Sequence, residues 1–415
     1  MAGLAQSPPA AEEAPDPALM TGAPPFPEQS RVTLANWQDP PFNRWAFQHI
    51  RELIPTARIG RAPGAAWPLP RAERDVLSFR FRYAERELSV AELLTETYTD
   101  GFQVLHQGQI VAEHYFNGLA PDVPHLLMSV SKSVTSAIAG VLAGRGELAV
   151  SARVEEIVPE LGGTSFEGAT VQDLLDMRAG TRFDENYDDP EADVRTYERV
   201  YLWRPPDGRP VPEDAIAYFA TLRNDGQHGG PFRYRSILTD VLAWVIERAA
   251  GARLHELIAA ELWQPMGAEF DAEITVDPRG NPMADGGICA TLRDAARFGE
   301  LYLRRGRRDD QEVLPAWWVD DTVRGAPDGA EAFLAGGGLP PGHPADPHDR
   351  NCWWVDDPGL PFYHASGING QHIFVHTPSQ TVVAKLSTWP TALSPWRDAT
   401  GAGVLAIAAE LERTR

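Results

Sequence analysis

Hydrophobic and polar positions divide the chain into a helical middle region with strands on either side of it. Two β-prone runs around a Gln-Gly turn, within residues 102–116, predict a hairpin. Residues 371–376 and 381–387 predict a second antiparallel pair of strands near the end of the sequence. Between the two pairs, apolar residues recur at helical spacing, as they do in the helix that Gly251 is expected to end.

The order of these elements predicts a fold of the α+β or α/β class. An antiparallel sheet flanked by helices would be built from residues 31–130 and 256–415, and residues 131–255 would form an inserted, mainly helical domain. We expect the active site in the cleft between these two parts. Residues 1–30 are rich in Pro and Ala and predict a disordered leader. The long aromatic loop 181–212 favours a lid over the site.

The charge of the chain limits its partners. Its 58 acidic and 37 basic residues give a formal charge of −21, which argues against nucleic acid and anionic membranes as partners. No apolar run reaches membrane-spanning length, and the first residues lack the pattern of a signal peptide. Cys289 and Cys352 are too few for a disulfide framework and indicate buried thiols in a reducing compartment. We therefore expect a cytoplasmic protein, and the sequence leaves its oligomeric state open, with a homodimer as one alternative.

A serine followed three residues later by a lysine, Ser129 and Lys132, stands at the start of an apolar-periodic helix. Residues three apart share a helix face, so the hydroxyl and the amine would lie within hydrogen-bonding reach. A lysine shielded from water can lose its proton near neutral pH and activate a serine. Lys132 and Lys385 are the two lysines among 37 basic residues, and arginine could not act as a base. The alternative is a helix-capping serine followed by a solvated lysine.

Two later stretches could complete a hydrolytic site. Tyr234 precedes an amphipathic helix, and a cationic lysine beside it would lower the pKa of its hydroxyl and let it pass a proton to a leaving group. The alternative is a packing tyrosine. Gly367 and Gly370 lie in a strand-like stretch, which indicates a close approach of the backbone to something bound. A backbone N–H there, facing that of Ser129, would form an oxyanion hole, and the alternative is a plain β-bulge.

Metal and cofactor signatures are absent from the sequence. The 11 histidines show no H-E-x-x-H spacing, and no glycine-rich phosphate loop of the Walker or dinucleotide type occurs. We therefore expect a reaction that needs no metal ion and no cofactor, on a small-molecule substrate.

Three short motifs follow one another in the order that they have in a known superfamily. Ser129-Val-Ser-Lys132, Tyr234-Arg-Ser236 and Ala365-Ser-Gly-Ile368 resemble the three motifs of the serine β-lactamase and penicillin-binding-protein superfamily, in its class C-like branch. Within that branch the chain is similar to the nylon-oligomer hydrolases. The similar segments extend over nearly everything after the leader, at residues 37–41, 127–133, 183–187, 239–244, 285–287, 353–354, 370–371 and 385–389.

The resemblance implies a β-lactamase/penicillin-binding-protein-like fold and an acyl-enzyme mechanism. Ser129 would attack the carbonyl carbon, with Lys132 and Tyr234 as coupled base and acid. The backbone amides of Ser129 and Ile368 would hold the oxyanion, and water would then release the acid.

Substrate-binding positions also carry over, with departures from the pattern. Tyr187 would help the departing amine, and Trp354 would line the pocket. Ala365 stands where the β-lactamases have a lysine that helps to bind the substrate carboxylate. Ser236 stands where class C enzymes have asparagine. Both departures weaken the hypothesis that the chain acts as a β-lactamase.

Asp285 and Asn369 are two further substrate-binding positions at which the chain departs from the nylon-oligomer hydrolases. Asp285 stands where an amide side chain is expected, and Asn369 stands where a histidine is expected. A carboxylate at Asp285 would repel an acidic substrate end and favour an amine end.

The residues and the resemblance lead to one main hypothesis of function. The chain would be a serine hydrolase that cleaves small linear amides of the nylon-oligomer type, and short-chain esters as well. The alternatives are a carboxylesterase with little amidase activity, a D-aminopeptidase or β-lactamase-like hydrolase, and a binding protein with a catalytically dead site. The complete set of Ser129, Lys132 and Tyr234 argues against the dead site.

Overall fold

The computed structural model describes residues 18–336 and 347–413, and its strands come from both ends of this range. The first group of strands ends at Leu126 and the second begins at Ala272. The strands are β1 (Thr56–Ile59), β2 (Arg80–Tyr83), β3 (Arg86–Ser89), β4 (Thr99–His106), β5 (Gln109–Tyr115), β6 (His125–Leu126), β7 (Ala272–Thr275), β8 (Ile288–Ala290), β9 (Arg307–Arg308), β10 (Gln311–Glu312), β11 (His348–Arg350), β12 (Trp353–Asp357), β13 (Phe362–Gly367), β14 (Gln371–His376) and β15 (Thr381–Ser387).

Helices dominate the region between the two groups of strands. The α-helices are α1 (Asn43–Ala46), α2 (Val90–Glu96), α3 (Val130–Gly144), α4 (Val154–Ile157), α5 (Val171–Leu175), α6 (Asp193–Val200), α7 (Ala215–Phe219), α8 (Ile237–Ala250), α9 (Leu254–Leu257), α10 (Gln264–Met266), α11 (Leu292–Leu303), α12 (Ala316–Arg324), α13 (Gly329–Ala335) and α14 (Trp396–Arg413). Gly251 ends α8 in the left-handed conformation, with a φ of 66°, which glycine adopts without strain. A π-helix, Ile258–Trp263, joins α9 to α10.

A seven-stranded antiparallel sheet joins the two groups of strands, in the order β11-β12-β13-β14-β15-β4-β5. The hairpin predicted near the start is β4 with β5, and the pair predicted near the end is β14 with β15. The two hairpins meet where β15 pairs with β4. A second sheet has the order β1-β7-β8-β6. An antiparallel sheet with helices around it and a helical segment inserted between its strands confirms the predicted fold class; the proposed domain boundaries stay a prediction.

Helices cover both faces of the large sheet. Side chains alternate along its strands, so neighbouring apolar residues of one strand pack against helices on opposite faces. Val382 of β15 faces α11, where a Cβ on Gly299 would come within 2.5 Å of Val382 Cγ1. The next residue, Val383, points to the other face and packs in a cluster with Val404 of α14. The sheet is therefore a buried middle layer, and its edge beyond β13 faces the helical region.

Part of the predicted leader is folded. Residues 1–17 lie outside the described residues, whereas Leu19 is 8% exposed and belongs to the main core. The Met20 N–H donates to the Ser30 carbonyl oxygen at 2.9 Å. The predicted disorder therefore does not extend over residues 18–30, because an apolar side chain and a main-chain hydrogen bond hold them to the body.

Candidate active site

α3 is a buried helix, and Ser129 lies directly at its N-terminus. Because the helix is buried, its hydroxyl groups need acceptors inside the protein. Three of them donate to main-chain carbonyl oxygens, namely Ser133 to Cys352 (2.7 Å), Thr135 to Ala284 (3.2 Å) and Ser136 to Asn351 (2.6 Å). These bonds tie α3 to loops on both sides, and the position of Ser129 is set by them.

Ser129 and Lys132 meet as their spacing predicts. Lys132 Nζ donates to Ser129 Oγ at 2.9 Å and to the main-chain oxygen of Asp285 at 2.8 Å. The Lys132 side chain is 3% exposed, so water does not solvate its ammonium group. Ser129 makes no capping hydrogen bond with its side chain. The alternative of a capping serine with a solvated lysine is therefore excluded.

Tyr234 completes a contiguous group with these two residues. Lys132 Nζ lies 5.0 Å from the centroid of the Tyr234 ring. Tyr234 interacts with both Ser129 and Lys132. Trp354 stacks on the Tyr234 ring, with the two ring centroids 5.7 Å apart and the planes at an angle of 23°. The structure thus brings together the nucleophile and both proton-transfer residues of the sequence prediction, beside a fixed aromatic wall.

Burial and neighbouring charges act in opposite directions on Lys132. Burial alone would lower the pKa of Lys132, but Tyr234, Asp285 and Glu185 outweigh it and raise that pKa. Burial raises the pKa of Tyr234 to about 12, although the Lys132 ammonium opposes this shift. Both pKa shifts run opposite to those expected from the sequence: for Lys132 because acidic groups face it, and for Tyr234 because it is buried. These directions favour a protonated Lys132 beside a neutral Tyr234, and such a pair must lose one proton before it can act as a base.

The end of β13 lies against the backbone of Ser129. A Cβ on Gly367 would come 2.9 Å from Ser129 N and 2.8 Å from Leu127 O, so a side chain at this position would displace the two segments. The following residue, Ile368, lines the same cavity as Ser129. In the described ranges, neither the Ser129 nor the Ile368 backbone N–H donates to a protein acceptor. Two unengaged amides beside a nucleophile can stabilise an oxyanion.

A cavity of about 660 Å³ opens at Ser129. Its wall is mainly apolar and aromatic, and Leu393 at its rim is 73% exposed. The lining residues are Ser129, Glu185, Tyr187, Tyr234, Trp354, Ser366, Gly367, Ile368, His372, Trp389, Ala392, Leu393, Ser394, Pro395 and Arg397. A cavity of this size accepts a small organic molecule.

Glu185 connects the predicted lid to the turn before α8. Its carboxylate accepts hydrogen bonds from the Ser236 N–H (2.6 Å), the Ser236 hydroxyl (2.5 Å) and the Tyr187 hydroxyl (2.5 Å). Burial raises the pKa of Glu185, although the Lys132 charge opposes the shift. Tyr187 lies on the cavity wall as predicted, whereas Ser236 supports the wall from behind through Glu185.

Besides Ser236, two more of the predicted substrate-binding residues, Asp285 and Asn369, lie away from the cavity wall. Asp285 is 6% exposed and lies beneath Lys132, with its carboxylate Oδ2 3.8 Å from Lys132 Nζ. Asn369 is 5% exposed, and its amide donates to the main-chain oxygen of Trp389 at 2.8 Å. The backbone of Asn369 also turns there, with a φ of 58°. Asp285 therefore acts on the lysine, and Asn369 holds the loop that follows β15.

Sequence reasoning missed two charged residues of the cavity wall. Glu185 lies in a segment that matches the nylon-oligomer hydrolases, but it is one of several carboxylates in a polar loop. Arg397 belongs to no motif and reaches the cavity because α14 packs beside β14. Its guanidinium carbon lies 5.0 Å from the Trp354 ring centroid. Arg397 is the second residue of α14, and nothing in the sequence distinguishes it from the other charged residues of that helix.

Three further features of the described residues concern metal ligands, the apolar character of the helices and the thiols. No cluster of three or more His, Cys, Asp or Glu side chains in residues 18–336 and 347–413 has an arrangement that could hold a metal ion. Within the same ranges, none of the helices has the length and apolar character needed to cross a membrane. Cys289 and Cys352 are buried free thiols.

Comparison with protein families identifies the group to which the chain belongs. The model of the family described as Beta-lactamase matches residues 90–407, which contain Ser129, Lys132 and Tyr234. The chain belongs to the Beta-lactamase family. The family, together with the relative at 38% identity described next, identifies the chain as a hydrolase.

Individual relatives show which group within the Beta-lactamase family the chain resembles. The chain is 38% identical over 359 residues to the 6-aminohexanoate-dimer hydrolase of Paenarthrobacter ureafaciens, covering 86% of this chain and 88% of that protein. A provisionally named 6-aminohexanoate-dimer hydrolase from Bacillus anthracis superposes with a TM-score of 0.85 at 26% identity, covering 94% of this chain and 99% of that one. A family VIII carboxylesterase shares the fold, with a TM-score of 0.56 at 16% identity over 75% of this chain and 92% of its own. The resemblance inferred from the motifs is confirmed.

Proposed function

We propose that the protein is a serine hydrolase that cleaves small linear amides of the 6-aminohexanoate oligomer type, and short-chain esters, through an acyl-enzyme on Ser129. The observation that carries the proposal is the 2.9 Å hydrogen bond from buried Lys132 Nζ to Ser129 Oγ, at the mouth of a cavity of about 660 Å³. The named relative at 38% identity supports the class of substrate.

The proposed mechanism moves one proton in each half-reaction. Once the Lys132–Tyr234 pair has lost a proton, it accepts the proton of the Ser129 hydroxyl while Ser129 Oγ attacks the carbonyl carbon. The N–H groups of Ser129 and Ile368 donate to the oxyanion. The C–N or C–O bond breaks as Tyr234 returns the proton to the leaving group. Water then attacks the acyl-enzyme while the same pair takes its proton. The pair returns this proton to Ser129 Oγ as the bond between Oγ and the acyl carbon breaks, which releases the carboxylic acid and free Ser129.

The composition of the cavity wall supports a linear, partly apolar substrate. Trp354, Trp389 and Leu393 offer apolar surface to an alkyl chain. Arg397 supplies a cation in a chain whose third motif has Ala365 in place of lysine. Its nearest carboxylate oxygen, on Asp356, is 3.6 Å away, so the guanidinium can still bind a substrate carboxylate.

A hydrolysis panel tests the proposal. The panel compares linear 6-aminohexanoate dimer, p-nitrophenyl acetate, a peptide ending in a D-residue and a chromogenic cephalosporin, with the unmodified protein and with Ser129→Ala. We expect turnover of the linear dimer and the acetate, with a loss of about 10⁴-fold or more in kcat for Ser129→Ala. Full activity of Ser129→Ala on both substrates would end the proposal, and preferential cleavage of the D-peptide or the cephalosporin would reassign the substrate.

A second candidate is a carboxylesterase with little amidase activity, and the position of Tyr187 favours it. The Tyr187 hydroxyl already donates to Glu185, so in this conformation it is not free to protonate a leaving amine. The variant Tyr187→Phe separates the two candidates on the same panel. Loss of amide cleavage with retained ester cleavage supports the amidase. Ester cleavage alone, in both the unmodified protein and the variant, supports the carboxylesterase.

We also propose a cytoplasmic location, which the two buried free thiols and the formal charge of −21 support. The homodimer remains a prediction that light scattering on the purified protein can test.

A further inference from the structure

Asp285 contacts the catalytic lysine twice. Lys132 Nζ donates to its main-chain oxygen at 2.8 Å, and carboxylate Oδ2 lies 3.8 Å from the same nitrogen. The other carboxylate oxygen, Oδ1, is buried and has no hydrogen-bond donor in the part of the chain that the structure describes. A buried carboxylate oxygen without a donor costs free energy, so this atom needs an explanation.

Asp240, in the first turn of α8, presents the matching feature. Its Oδ1 accepts hydrogen bonds from the N–H groups of Ala284 (2.7 Å) and Asp285 (3.2 Å), which hold its carboxyl group against Asp285. Its Oδ2 is also buried and makes no hydrogen bond of standard geometry among the described residues, although the Tyr197 hydroxyl lies beside this carboxyl group. The side chains of Asp240 and Asp285 are close enough to hydrogen-bond to each other. Two carboxylates are both acceptors, so such a bond forms only if one of them carries a proton.

The charges around the pair favour a single proton shared between them. Burial raises the pKa of Asp240, and the negative charge of Asp285 raises it further. Burial also raises the pKa of Asp285, while Lys132 opposes that shift. Among the described residues, Lys132 is the cation that faces the pair. The other titratable groups around the two carboxyls and the lysine are acidic, phenolic or thiol: Glu185, Tyr187, Tyr197, Glu198, Tyr201, Tyr234, Asp349 and Cys352. Two full negative charges here would exceed what one ammonium group can balance.

We propose that Asp240 is protonated at neutral pH and donates a hydrogen bond to the Asp285 carboxylate, so that the pair bears one negative charge that holds Lys132 in its protonated resting form. Asp240 and Asp285 are positioning residues, since neither lies on the cavity wall. The pair sets the pH at which the Lys132–Tyr234 unit gives up the proton that activates Ser129. The kinetic consequence rests on the function proposed above.

The pH profile of kcat/KM on a short-chain ester tests this pair with three proteins: the unmodified chain, Asp240→Asn and Asp240→Asn/Asp285→Asn. The Asp240→Asn side chain is neutral and can donate the same hydrogen bond. The acid limb of the kcat/KM profile, where activity rises with pH, should therefore stay at the same pH even if the maximal kcat/KM changes. The double variant removes the negative charge beside Lys132, which makes the Lys132–Tyr234 unit more acidic. Its acid limb should move to lower pH by about one unit or more. If Asp240→Asn alone moves the limb to lower pH, Asp240 carries negative charge, and the proposal is overturned; an unmoved limb in the double variant overturns it as well.

Infrared spectroscopy supplies a readout that does not depend on activity. The difference spectrum between the unmodified protein and Asp240→Asn at pH 7 should contain the carbonyl stretch of a protonated carboxylic acid. Its absence would refute the shared proton even if the hydrolase proposal holds, and its presence would support the pair even if the protein hydrolyses no substrate of the panel.

Discussion

Two residues of the same type show how partners decide the chemistry of a buried side chain. Lys132 and Lys385 are the lysines of the chain, and both are buried. Acidic groups surround Lys132 and raise its pKa, as described above. Burial lowers the pKa of Lys385 to about 7, a shift that Asp100 opposes. The scarcity of lysine therefore pointed to two buried amines, and neighbouring charges distinguish Lys132, which lies beside Ser129, from Lys385.

Replacing Lys385 by methionine should stabilise the protein in a pH-dependent way. In the folded protein Lys385 takes up its proton only below about pH 7, whereas in the unfolded chain it does so below about 10.5. The cost of burying the charged form is therefore complete below pH 7 and is relieved as the pH rises from 7 towards 10. We expect Lys385→Met to raise the free energy of unfolding by about 1–3 kcal/mol at pH 6, and by less at pH 9.

Urea unfolding of both proteins at pH 6 and pH 9 measures this difference. A change in stability that is equal at the two pH values would show that Lys385 does not titrate between them. Because Lys385 lies on β15, opposite Phe102 of β4, the comparison also probes the pair of strands that joins the two ends of the chain.

At the scale of elements, α3 is the part that holds the site in place. Its Gly140 lies against Trp318 of α12, and a Cβ there would come 2.6 Å from the Trp318 ring. Gly140→Ala should therefore overpack the helix and destabilise the protein by about 1–3 kcal/mol. The matched control is Gly401→Ala in α14, where a Cβ would meet nothing within 4 Å. The control should be neutral or stabilising by up to about 1 kcal/mol, since alanine favours a helix.

Thermal unfolding of the two variants checks this prediction. Equal melting temperatures for Gly140→Ala and Gly401→Ala would mean that α3 can move away from Trp318. An α3 with that freedom could not position Ser129 as the structure describes.

Elements with a clear period were predictable, and the direction of individual side chains was not. The strands β4, β5, β14 and β15 form where β-prone runs predict them, and Gly251 ends α8 where expected. Asn369 could not be placed from sequence, because a left-handed backbone turns its amide towards Trp389. The pKa shifts of Lys132 and Tyr234 were also beyond local sequence, since that of Lys132 depends on acidic groups from several separate segments and that of Tyr234 depends mainly on its burial.

At the scale of the whole molecule, the site is assembled from segments far apart in the sequence. Ser129, Tyr234 and Ile368 come together because α3 and α8 lie beside the end of β13. The order of the three motifs predicted this assembly, because it resembled that of a known superfamily. Arg397 belongs to no motif, and Asp240 lies in a matching segment, 239–244, that assigns it no role. Their places became clear only once α14 and α8 were packed against the sheet and the loop before β8.

Mass spectrometry of the protein quenched during turnover of linear 6-aminohexanoate dimer can detect the proposed acyl-enzyme. We expect a transient adduct with the mass of one aminohexanoyl group, which peptide mapping assigns to Ser129 and which is absent from Ser129→Ala. Turnover of the dimer without an adduct on Ser129, or with an adduct on another residue, would show that Ser129 is not the nucleophile.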